Sequence, residues 1–107
     1  MTKKTTYHKL IRDRIPAIIE ADGHEATIHV ADDREFEQKL LEKLAEEVDE
    51  FLRDGEIEEL ADVLEVIYAL AAQDGVSQDG LERIRRRKVD QRGSFSKRLI
   101  LEETREV

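Results

Sequence analysis

The sequence predicts an all-α fold, a helical bundle built around two antiparallel central helices. Three observations carry that expectation. Phe36, Leu40, Leu41, Leu44, Val48, Phe51 and Leu52 keep helical periodicity across more than four turns. Beyond Gly55 a second segment is apolar on most sides, through Ile57, Leu60, Val63, Leu64, Val66, Ile67, Tyr68 and Leu70. The composition, 41% charged beside 39% hydrophobic in 107 residues, suits one helical domain over residues 1–107 with strongly polar outer faces.

Each element has its own start and stop signals. Asp13 is a candidate N-cap for a first helix, with Pro16 in the tolerated first turn, Ile15, Ile18 and Ile19 on one face, and Gly23 as the stop. Ala26 to Ala31 alternates weakly and reads as a short strand. Asp32 or Asp33 caps the long second helix, which runs to about Asp54. Gly55 breaks the chain tightly, and a third helix runs from about Glu56 to Asp74. A helix so apolar belongs in the centre of a core, within the chain or between subunits. Gly75 ends it, and Ser77 caps a fourth helix reaching Arg92, with Gly93 as its stop. The run Arg98-Leu99-Ile100-Leu101, within 95–103, is a candidate second strand to pair with the first. Two strands alone are marginal, so the helices must carry the fold.

Composition also sets limits on function. There is no cysteine, which excludes disulfides and thiolate metal sites. The opening Met1-Thr2-Lys3-Lys4 leads into no apolar h-region, and no apolar run approaches membrane-spanning length. These features lead to the expectation of a soluble, cytoplasmic protein. A net charge of −8 argues against general nucleic-acid binding, which depends on neutralising phosphates. The local exception is the basic stretch from Arg83 to Arg98.

Chemistry is suggested by four acids. Glu47 and Glu50 on the second helix, and Glu59 and Asp62 on the third, are each spaced i, i+3 and so are surface neighbours. Glu47 lies on the margin of an apolar stripe, and Glu59 falls between Val63 and Val66, where its carboxylate must be partly desolvated. Packing the two helices together gathers four negative charges. Two unit charges about 4 Å apart repel by roughly 4 kcal/mol at an effective dielectric of about 20. A hard divalent cation such as Mg²⁺, which prefers oxygen ligands, is the natural remedy. Any one of these acids alone reads as an ordinary helix residue offset by Lys39, Lys43 or Arg53. It is the joint pattern, on two helices with a short connection, that points to a metal site.

The basic segment supplies the complement. Lys88 and Arg92, at i, i+4, share a face suited to gripping phosphate, and arginine does so bidentately. Arg83, Arg85, Arg86 and Arg87 read instead as a solvated helix end. Lys9, Arg12 and Arg14 are either further phosphate contacts or structural partners of surface acids. His8, His24 and His29 lack ligand spacing and read as surface or hydrogen-bonded residues, while Tyr7, Tyr68 and the phenylalanines read as core.

Glu46-Glu47-x-x-Glu50 followed by Glu59-x-x-Asp62 resembles the EExxE…ExxD signature of the all-α nucleoside triphosphate pyrophosphohydrolases, which include MazG-like proteins and phosphoribosyl-ATP pyrophosphohydrolases. Tyr7-His8-Lys9-Leu10-Ile11-Arg12-Asp13-Arg14-Ile15-Pro16 resembles the opening of small MazG-like proteins. Lys88-x-x-x-Arg92-Gly93-x-Phe95-x-x-Arg98 resembles their closing segment. Only eight residues separate Glu50 from Glu59, fewer than in most of that superfamily, which shortens the connection between the helices.

The resemblance implies a MazG-like bundle completed by oligomerisation, as a homodimer or homotetramer. It implies that Glu47, Glu50, Glu59 and Asp62 hold Mg²⁺, with Mn²⁺ as a substitute. Glu46 and Glu47 would be catalytic, Glu46 as an outer ligand or water-positioning base, and Lys88 and Arg92 would bind the substrate phosphates. The expected reaction cleaves the α–β phosphoanhydride of a nucleotide, releasing a nucleoside monophosphate and pyrophosphate in a house-cleaning role. The alternatives are phosphoribosyl-ATP cleavage in histidine biosynthesis, and a non-enzymatic helical interaction module whose acids only solubilise it.

Overall fold

Capping chemistry and apolar spacing produce four helices in the computed structural model, which describes residues 3–107. They are α1 (Ile15–Ala21), α2 (Asp33–Asp54), α3 (Ile57–Gln73) and α4 (Gln78–Arg92). The fold is all-α.

The Asp32 carboxylate opens α2 by accepting the Glu35 amide at 2.8 Å, and Asp32 itself is extended, as a capping residue must be. At the other end Gly55 takes the left-handed conformation (φ 67°) and its amide donates to the Phe51 carbonyl at 2.8 Å. With α3 beginning at Ile57, only Gly55 and Glu56 remain to reverse the chain. The result is an antiparallel hairpin. The start of α2, at Asp33, Phe36 and Glu37, shares a surface depression with the end of α3, at Ala69, Ala72 and Gln73. Ser77 caps α4 through the Gly80 amide at 3.0 Å, and α4 leans on α3 along a groove of about 280 Å³ lined by Leu64, Ile67, Tyr68, Leu81 and Arg85.

Three sequence expectations are corrected. Asp13 does not cap α1: Arg14 stands at the N-cap position in a helical conformation (φ −91°, ψ −4°) with no side-chain capping bond. Asp13 sits one position too early, and Pro16 lacks one of the amides a cap would satisfy. Neither expected strand forms among the described residues. Residues 26–31 and 99–103 make no backbone–backbone hydrogen bond, and the second run begins at a turn, with Arg98 at φ 58° donating to the Phe95 carbonyl at 3.1 Å. Tyr7 and Phe95 are exposed rather than core, Phe95 almost completely at 97%.

The core of a single copy is thin. Leu40 and Val66 are its buried apolar residues, and the third buried residue is the acid Glu47. Leu41, Val48 and Leu52 on α2, with Ile57, Leu60 and Leu64 on α3, remain exposed to solvent. The radius of gyration is 19.2 Å, against roughly 13 Å for a compact domain of this length. The accessible surface is 10370 Å², where a compact monomer of 12.4 kDa exposes roughly 6,100 Å². No helix among the described residues is long and apolar enough to cross a membrane.

Candidate functional site

The α2–α3 hairpin brings the predicted acids near enough for their charges to act on one another across the two helices. Glu46, Glu47 and Glu50 come from the α2 side, Glu59 and Asp62 from the facing turns of α3. Glu47 is the most deeply placed, 7% exposed. Its Oε1 lies 3.3 Å from Lys43 Nζ, one turn earlier, while its Oε2 is buried with no hydrogen-bond partner. Glu59 Oε1, across the hairpin, is likewise buried and unpartnered. An unpartnered charged oxygen held away from water is costly. Two such oxygens lie on the two packed helices, one on α2 and one on α3.

The electrostatics agree. The Glu50 carboxyl is pushed above its usual range, first by the charge of Glu47, then by partial desolvation and close carboxyl contact with Glu47, and further by Glu46 and Glu59. Glu59 is raised as well, chiefly by desolvation, then by Asp54, with Glu56 and Asp62 adding to it and a backbone hydrogen bond opposing it. Charges from both helices therefore bear on one another.

Basic side chains already bind part of this edge. Arg12 donates to Asp62 Oδ1 at 2.7 Å, Lys9 reaches Glu46 at 3.4 Å, and Lys43 lies 3.6 Å from the same Glu46 oxygen. Lys39 ties the same N-terminal segment down by donating to the His8 carbonyl at 2.9 Å. Residues 8–12 therefore form a strap across the acids, a role the sequence had left between phosphate contact and structural pairing. Among the described residues no three of these acids converge closely enough to share an ion; Glu46, Glu47 and Asp62 each face a basic side chain, Lys9 and Lys43, Lys43, and Arg12 respectively. The donor set nevertheless fits a hard divalent ion: carboxylate oxygens alone, two of them buried and unpartnered.

The basic helix is only partly accounted for. Arg85 and Arg86 are both held by Glu82, at distances from 2.6 to 3.4 Å, as a solvated helix surface would be. The α3–α4 groove ends at Arg85. Lys88 and Arg92 lie about one and two turns beyond it, both exposed and paired with no acid among the described residues. A single copy does not join them to the acidic edge. His29 pairs with Glu35 at 2.8 Å, a structural contact near the start of α2.

No family model matches the chain, and no curated protein or solved structure matches it either.

Proposed function

We propose that this protein is a Mg²⁺-dependent nucleotide pyrophosphohydrolase of the house-cleaning type, acting in the cytoplasm as a homodimer or homotetramer. One observation carries the reading: the buried, unpartnered oxygens of Glu47 and Glu59 on the facing helices of the hairpin. Glu47, Glu50, Glu59 and Asp62 would hold Mg²⁺, or Mn²⁺ in its place. When bound, the ion supplies neutralisation of triphosphate charge and a lowered pKa for a coordinated water.

The chain's own side chains do the rest. Lys43 orients Glu47, and Glu46 receives or positions the water proton at the edge of the cluster. Lys88 and Arg92 hold substrate phosphates, from α4 or from a neighbouring copy. No side chain here suits covalent catalysis, so rate enhancement comes from positioning and electrostatics. Cleavage of phosphoribosyl-ATP in histidine biosynthesis would use the same machinery. The opening and closing segments favour the general nucleotide role over it.

The exposed apolar residues on α2 and α3 favour one second reading, a non-enzymatic helical interaction module. Under the enzyme reading those residues are the subunit interface. Measuring pyrophosphate release from a panel of nucleotides and phosphoribosyl-ATP, with and without Mg²⁺, separates the two. Mg²⁺-dependent release from any member supports the enzyme. No release, together with a melting temperature unmoved by Mg²⁺, leaves the module.

A further inference from the structure

Two apolar runs lie in solvent with their backbones unpaired. In the first, Ile28 is 59% and Val30 93% exposed; in the second, Leu99, Ile100 and Leu101 are each at least 80% exposed. Neither residues 25–31 nor residues 99–107 make a backbone–backbone hydrogen bond. Such a segment, rich in branched apolar residues, is a ready template for another strand. The second run departs from α4 through Gly93 (φ 84°) and the Phe95–Arg98 turn.

We propose that residues 99–103 of one copy pair as an antiparallel strand with residues 26–31 of a second copy, exchanging C-terminal arms. The inference rests on the homo-oligomer reading above. Charge selects the orientation. Lys97 and Arg98 precede the arm's apolar run, Glu102 and Glu103 follow it, and Asp32 and Asp33 follow the receiving run. Setting Ile100 opposite Val30 in antiparallel register leaves Lys97 and Arg98, in the turn before the arm's strand, flanking Asp32 and Asp33 at the start of α2. Parallel pairing would instead draw Glu102 and Glu103 towards those aspartates. Opposite charges brought together at the end of a ladder attract and like charges repel.

Surface area supports the exchange. One copy exposes some 4,000 Å² more than a compact monomer of its mass, whereas a standard interface buries about 800 Å² per partner. The helical faces and the arm can both be covered within that excess. A two-stranded ribbon is marginal alone, so it forms with the assembly and not before it.

The chain contains no cysteine, which makes single-cysteine chemistry clean. Ile28→Cys and Ile100→Cys chains are mixed at micromolar concentration, unfolded and refolded together, and treated with a bismaleimide. A spacer of about 7–10 Å tolerates a register shift of two or three residues. The expected product is a covalent heterodimer joining position 28 of one chain to position 100 of the other. In parallel, Ile100→Pro removes a ladder donor, and amides in 26–31 should then exchange at least about tenfold faster. A doubly substituted Ile28→Cys/Ile100→Cys chain that cross-links only within itself, while the mixed single variants give no heterodimer, overturns the exchange. So does an oligomer by light scattering that gives no cross-link and no change in amide exchange. A stable monomer by light scattering overturns the oligomer reading itself, and the exchange with it, whatever the nucleotide assay finds.

Discussion

Glu47 is held where a carboxylate is expensive, with one oxygen on Lys43 and the other on nothing. Removing it should leave stability nearly level while disabling the site. Glu47→Ala, Glu50→Ala, Glu59→Ala and Asp62→Ala are each expected to abolish Mg²⁺-dependent pyrophosphate release. In metal-free buffer, thermal melting should find Glu50→Ala and Glu59→Ala as stable as the parent or more so, because each deletion lowers mutual repulsion, and Glu47→Ala nearly level, because it also gives up its contact with Lys43. Asp62→Ala also loses its exposed bond to Arg12, a contribution of about 0–1 kcal/mol, so its stability should stay nearly level. Glu82 behaves in the opposite sense. Hydrogen bonding to Arg85, helped by the charges of Arg85 and Arg86, lowers its carboxyl from 4.5 to about 2 against some desolvation. A lowered folded-state value means stability present above the unfolded value of 4.5 and lost as pH falls through about 2. Acid titration of Glu82→Gln by circular dichroism should therefore show a shallower loss of stability across that window than the parent.

At the scale of elements, the helices were legible because their signals are local. The α2 cap, the Gly55 reversal and the Ser77 cap each depend on residues within a turn of one another. Gly55→Ala tests the hairpin reversal. A Cβ there would meet nothing within 4 Å, so the penalty is purely conformational, from φ 67°, and about 1 kcal/mol of stability should be lost in urea unfolding. The acidic edge was legible for the same reason, since i, i+3 spacing on two helices joined by a two-residue turn fixes which side chains face together. What remained hidden is long-range. Arg12 and Asp62 are 50 residues apart, and nothing in their neighbourhoods announces the bond. The two β-runs stay unpaired within one copy: the first alternates only weakly, the second is a short continuous apolar run, and two strands alone are marginal.

At the scale of the whole molecule, a chain whose buried residues, among those described, are Leu40, Val66 and Glu47 has little interior of its own. Its folding and its assembly should be one equilibrium. Light scattering at micromolar concentration is expected to report at least a dimer, and the melting temperature should climb with protein concentration, as mass action requires when only the assembled form is stable. A melting temperature independent of concentration, with a monomer mass, would contradict this picture. Lys88 and Arg92, exposed beyond the reach of their own groove, acquire a place in the site only if a neighbour brings acids to them.

The bond between Arg12 and Asp62 has a consequence for ionic strength. On the proposed Mg²⁺ reading, a divalent ion entering the acidic edge would meet a tethered guanidinium already seated on Asp62, and would have to evict it. Added monovalent salt screens the ion's attraction to the carboxylates, and by the same screening loosens the occupant it must displace. The two effects oppose each other. Mg²⁺ affinity measured by calorimetry should therefore fall less steeply with salt in the parent protein than in Arg12→Ala, whose vacant aspartate weakens the second effect. The strap would then act as a resident counterion, making occupancy of the proposed site less dependent on the salt around it.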